Sequence, residues 1–352
     1  MPYLLGIDIG QCSVTAAVCR PTVHPHRRAA EPGWAPAEVV ALAGPGPSIG
    51  SALLLSAGGD LVAAEVGAGH AVDRAAGYLH RVGDDVAVLL GGHAFPAQTL
   101  VAGMVSWVAG RLWQLQGQAP DRIAVAHPTG WGPHRLGLLR TAFAEAGLGE
   151  PALVPRAGAV VTSVQAAGQL PAGGGVLVVF ELGASELEVS LINPHTAGRY
   201  EIITSVRCTD VSGGDLDAAD AGTQRSLLRS GVDLVLRTVA ACGVPAGELS
   251  AVLLAGSAAG HPMLGDLLSA ALGVPVLQNG DPRTTVACGA ALSVRPRGRR
   301  PAATPMVPMV PESPTAEAPL ITATRPVSPS PQAALQPPRP PVKVTAAPGA
   351  RR

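Results

Sequence analysis

The sequence is nearly without lysine: Lys343, close to the C-terminus, is the only one in 352 residues. Chemistry that needs a lysine at a phosphate must therefore do without one in the stretch that reads as folded. Cysteine is scarce as well. Cys12, Cys19, Cys208, Cys242 and Cys288 are odd in number, scattered and without a Cys-x-x-Cys pair. That argues against a disulfide framework or a zinc site and fits a reducing cytoplasm. Neither charge sign is in excess, since 25 basic and 25 acidic residues cancel. There is no electrostatic case for nucleic acid or an acidic membrane surface. No apolar run approaches the roughly 18 residues that cross a bilayer. The N-terminus lacks the basic start, apolar stretch and small-residue cleavage site of a signal peptide. The expectation is a soluble cytoplasmic protein of one large or two medium domains, with 47% apolar and 14% charged residues.

What is present is organised around residues 3–19. An apolar run, Tyr3 to Leu5, enters a turn read as Gly6-Ile7-Asp8-Ile9-Gly10, and Val14 to Val18 leaves it as a second strand. The reading is a hairpin whose turn presents backbone N–H groups and one carboxylate, a pairing that suits a phosphate and its Mg²⁺. A buried hairpin with a solvated aspartate gives the same pattern, so the partners elsewhere must decide.

Further along, residues 20–37 read as a loop, with His24 and His26 as surface histidines. Val39–Leu42, Ala52–Leu55, Leu61–Ala64 and Val86–Leu90 read as strands, and Ala68–Ala76 as a helix. Leu100, Met104, Trp107, Val108, Leu112 and Leu115 have helical spacing, with Thr99 as the expected cap, Gly117 as the stop and both tryptophans in the core. A strand at 122–128, helices at 134–147 and 157–168, and a strand at 153–155 complete a first half. After Gly173-Gly174-Gly175 the opening design recurs. Val176 to Phe180 is apolar, Glu181-Leu-Gly-Ala-Ser-Glu186 turns, and Leu187 to Ile192 leaves as a strand. Tyr200–Val206 is the next strand, Gly213-Gly214-Asp215-Leu216-Asp217 opens a helical segment, and Leu227–Cys242 is a helix. Ala251–Ala255 leads into Gly256-Ser257, read as the start of a helix; Pro262–Leu272, Val274–Val276 and Val286–Val294 follow as helix, strand and helix. The last 52 residues hold 14 of the 34 prolines and no periodicity, which reads as a disordered solubilising tail or tether, with a proline-recognising domain as the alternative partner.

The order of these motifs resembles the nucleotide-binding domain of the heat-shock 70-kDa chaperones, within the actin-like ATPase superfamily. Gly6-Ile-Asp-Ile-Gly10 is similar to its first phosphate loop, and Phe180-Glu-Leu-Gly183 with Leu187-Glu-Val-Ser-Leu191 to its second. Ile123 to Pro128 with an Arg135-containing helix, Gly213 to Asp217, Leu253-Leu-Ala-Gly-Ser257 and Val286-Ala-x-Gly-Ala-Ala291 occupy the family's other places, covering roughly residues 3–295. The resemblance implies a duplicated, ribonuclease H-like α/β fold: lobe I over 1–172, a trimmed lobe II over 173–296 and a tail over 297–352. It also implies ATP or ADP with Mg²⁺ between the lobes. Gly6, Asp8, Gly10, Gln11, Cys12, Glu181, Gly183, Ala184, Ser185, Gly213, Gly214, Gly256 and Ser257 would hold the nucleotide, and Asp8 and Glu181 the metal through water.

The departures from the family weigh against turnover. Gln11 stands where a threonine meets the γ-phosphate, and the lysine that positions water has no counterpart, Ala76 falling near its place. Arg156 replaces a glutamate, Glu181 an aspartate, and Ala184-Ser185-Glu186 a Gly-Gly-Thr. Arg156 is expected either to pair with Glu186 or to stand in for the lost lysine. About 35 residues separate Asp217 from Val252, where the family inserts a helical subdomain. Two functions follow. One is a chaperone-like nucleotide-binding module with little or no hydrolysis. The other is a pseudo-ATPase scaffold that binds a protein partner and no nucleotide, as accessory proteins of secretion or cell-envelope machineries do by analogy. An actin-like filament is a weaker third.

Overall fold

The computed structural model describes residues 2–22, 33–64, 74–195 and 199–296. The His24 and His26 pair, most of the helix expected over 68–76 and the whole tail from 297 lie outside them. Ala75 is described, and it bridges Leu53 as extended backbone where a helix was expected.

The first sheet is built from β1 (Leu4–Ile9), β2 (Ser13–Cys19), β3 (Glu38–Val40), β4 (Ser48–Gly50), β5 (Arg122–His127) and β6 (Ala152–Pro155). Its order is β6-β5-β1-β2-β3, with β4 also on β2. β1 runs antiparallel to β2 and parallel to β5, and β5 runs parallel to β6. The second sheet uses β7 (Val176–Leu182), β8 (Leu187–His195), β9 (Arg199–Cys208), β10 (Leu249–Ala255) and β11 (Val276–Leu277) in the order β9-β8-β7-β10-β11. The directions repeat: β7 is antiparallel to β8 and parallel to β10. Both sheets therefore have one topology, three antiparallel strands followed by two parallel crossovers.

Helices make those crossovers, because parallel neighbours need a long connection. The described residues hold α1 (Ala97–Gln116), α2 (Pro133–Glu145), α3 (Arg156–Ala166), α4 (Gly213–Ala218), α5 (Ala221–Ala241), α6 (Pro262–Leu272) and α7 (Thr285–Ser293). None is long and apolar enough to cross a membrane. The chain is thus a mixed α/β protein. α1 starts after Pro96, two residues before the expected Thr99 cap, and stops at Gly117 with φ 71°. Pro96 takes the cap position with ψ 141°, and no side chain caps the helix there. On α1 Trp107 packs against the core, but Trp113 is 59% exposed, contrary to expectation.

The middle of the molecule is the α3–α7 pair. α7 lies on β1, β2 and β5, while α3 packs on α7 and reaches β7, β8 and β10. The helices touch backbone to backbone: a Cβ on Gly289 would collide with the Ala159 carbonyl. Ala157, Ala159, Val160, Val286, Ala290 and Ala291 fill this layer. The small-residue runs are thus what lets two helices fit between two sheets.

Candidate functional site

The opening hairpin turns later than its sequence suggested. β1 continues through Asp8 to Ile9, and the turn is Gly10-Gln11-Cys12, closed by the Gly10 N–H donating to Ser13 O at 2.7 Å. Gly6 consequently sits inside β1 and faces α7, where an added Cβ would strike the Ala287 carbonyl and the Ala291 backbone. It serves packing, not a phosphate. The second hairpin behaves alike: β7 runs through Glu181 to Leu182, and Gly183 to Glu186 make the turn.

The two turns face one another across a cavity of about 70 Å³. Asp8, Gly10, Gln11, Cys12, Glu181, Gly183, Ala184, Ser185, Gly256 and Ser257 all line it. Gly213 and Gly214 do not. Their N–H groups donate to Gly183 O and Ala184 O, both at 2.8 Å, so they brace the second turn from behind. Gly256 has φ 101° and ends β10, but no helix begins at Ser257; α6 starts only at Pro262, behind His261. The glycine amides at these turns are already taken within the protein. Gly183 N–H donates to Glu186 O, and Gly256 N–H to Pro282 O, both at 2.9 Å.

Arg156 dominates the site. It is the first residue of α3, follows Pro155, and is 5% exposed. Its Nε donates to Asp8 Oδ1 at 3.0 Å and one terminal nitrogen to Ile9 O at 2.6 Å, while the other lies 3.3 Å from Glu181 Oε1. The guanidinium thus joins β1 of the first sheet to β7 of the second. Burial opposes its charge, but Asp8 foremost, then Glu181, Glu188 and Glu186, outweigh that and hold its pKa above the ordinary value. For Glu181 burial is the larger effect: it pushes the pKa up to about 8 despite Arg156, with Glu188, Asp8 and Glu186 adding to the rise. Asp8 is therefore the main counter-ion of Arg156. The expected pairing of Arg156 with Glu186 does not occur.

Glu186 is held elsewhere. His80, in a single 3₁₀ turn (Tyr78–Arg81), places Nε2 3.2 Å from Glu186 Oε1, and Arg207 on β9 places Nε 3.6 Å from Oε2. Arg207 also meets His80 Nδ1 at 2.8 Å. Burial raises the Glu186 pKa, yet the His80 hydrogen bond and the charges of His80, Arg207 and Arg156 bring it below the ordinary carboxylate value. Glu188, on β8, accepts from Gly130 N–H at 3.1 Å and from Ser205 Oγ–H at 2.7 Å. Each of the three second-half glutamates thus meets a first-half donor: Arg156, His80 or Gly130.

The donor set does not fit a magnesium–nucleotide. Asp8 and Glu181 each turn an oxygen to a buried guanidinium, and about 70 Å³ admits a few waters at roughly 30 Å³ each, whereas ligand pockets run to several hundred. Among the described residues no three His, Cys, Asp or Glu side chains are arranged to hold a metal ion. His80, Gly130, Ser205 and Arg207 carry no motif and were not visible in the sequence. Arg156 left one sign, a basic residue at a helix start, where the macrodipole disfavours it. No family model matches this chain, and no curated protein matches it.

Proposed function

We propose that this chain is a pseudo-ATPase scaffold of the actin-like, chaperone-related type, in which the ancestral nucleotide cleft is closed by the protein's own side chains. The two sheets of identical topology, with a turn from each meeting across a cavity, support the actin-like reading. The observation that carries the functional reading is Arg156 between Asp8 and Glu181. Phosphoryl transfer rests on positioning and charge neutralisation by metal and donors. Here the carboxylates that would manage a metal are committed to a guanidinium, and the N–H groups of Gly10, Gly183 and Gly256 to carbonyls.

With the cleft silent, the exposed surface is what the fold has to offer a protein partner. Leu89 and Val86, 74% and 69% exposed, stand close together in sequence on one short hairpin and its lead-in. The enzymatic side of the reading is tested by phosphate release. The full chain is expected to release none from ATP above background, and Asp8→Ala to change nothing. A chaperone-like rate that is lost in Asp8→Ala overturns it.

A further inference from the structure

Several acceptors in the cleft meet no donor among the described residues. Beyond the oxygens that Arg156 engages, Gln11 Oε1, Glu181 Oε2 and Glu188 Oε2 are buried without a hydrogen-bond partner among the described residues, and all three residues line the same cavity. Glu181 and Glu188 are 8% and 5% exposed. Asp8 and Ile9 O complete an all-oxygen environment around the guanidinium. Oxygen acceptors attract a cation, and the cation these oxygens meet is a side chain. Its placement is costly on two counts, burial of a charge and a positive group at the positive end of α3.

We propose that Arg156 is a resident substitute for a bound cation: a guanidinium supplied by the chain itself neutralises Asp8 and fastens β1 to β7, so closure of the cleft needs no ligand. Arg156 is a positioning residue in this role. Its three guanidinium nitrogens are each given to a different acceptor, which a lysine ammonium on a flexible stem would not reproduce. Removing the guanidinium leaves a vacancy bordered by Asp8, Ile9 O and Glu181. That vacancy takes a small cation from solution. The inference rests on the closed-cleft reading above, but its test uses no nucleotide, so the two fail separately.

The test is thermal melting of the full chain, wild type beside Arg156→Ala, with increasing Mg²⁺ or millimolar methylguanidinium. The wild type is expected to melt at one temperature throughout. Arg156→Ala is expected to melt several degrees lower and to recover with rising concentration of either cation, as ligand linkage requires. A folded Arg156→Ala that melts like the wild type, or that responds to neither cation, overturns the proposal. If Arg156→Ala does not fold, the triple variant Arg156→Ala, Asp8→Asn, Glu181→Gln decides. Folding of the triple variant supports uncompensated charge as the cause, and failure of both assigns Arg156 to packing and overturns the proposal.

Discussion

Glu181 and Glu188 lie directly opposite one another on the β7–β8 ladder, both buried, each with Oε2 lacking a hydrogen-bond partner among the described residues. Like charges directly opposed across a ladder repel. A proton on Glu181 relieves first the cost of burying its charge and then this repulsion, in line with the rise of its pKa to about 8. Glu181 thus binds its proton more tightly folded than unfolded. Its contribution is complete below the unfolded value near 4.5 and is lost as pH rises through about 8.

The expected outcome is a melting temperature that falls from about pH 5 to pH 9, at no more than about 1.4 kcal/mol per pH unit from this one group. Glu181→Gln, whose amide imitates the protonated acid, should match the wild type near pH 6 and exceed it near pH 9. Parallel curves for the two proteins would contradict the assignment. Chemical denaturation at several pH values measures it.

Gly6 supports a second prediction. Its hydrogen atom faces the α7 backbone at Ala287 and Ala291, so no side-chain rearrangement can make room for a methyl group. Gly6→Ala should cost about 3 kcal/mol or more, at the upper end for overpacking, because β1 and α7 must separate. Gly50→Ala, at a position with nothing within 4 Å of an added Cβ, is the control and should be nearly neutral. Equal stability of the two variants would show that Gly6 is not a packing glycine.

The mouth of the cleft supports a third. Arg207 has a side chain 41% exposed, so its ion pair with Glu186 is screened, and Arg207→Ala should cost under about 1 kcal/mol. Glu186 has a side chain only 12% exposed and satisfies both His80 and Arg207. Glu186→Ala should cost about 1–3 kcal/mol, since it removes a buried acceptor from two donors. Urea unfolding of the two variants measures the order, and a larger loss for Arg207→Ala would contradict it.

Much of the fold was legible because its signals are local. Apolar runs such as Val176–Phe180, buried at every position, and glycine stops such as Gly117 and Gly243 mark elements by composition alone. The two facing turns were legible as a repeat of one design. The site was legible only as a location. That Asp8 ends inside a strand, that Gly6 serves α7, and that Gly213 and Gly214 brace a turn all depend on tertiary neighbours far away in the chain. Arg156 was visible as a departure, but its partners were not, because Asp8 is 148 residues distant and Glu181 belongs to the other sheet. His80 and Gly130 gave no signal at all, since a histidine in a short turn and a loop amide have no pattern of their own.

The central claim is that a guanidinium has taken the place of ligand in this cleft, and calorimetric titration of the full chain with ATP and with ADP, each with and without Mg²⁺, tests it most directly. The account predicts no saturable heat into the millimolar range and no difference on adding Mg²⁺. Micromolar binding strengthened by Mg²⁺ and weakened by Asp8→Ala would contradict it.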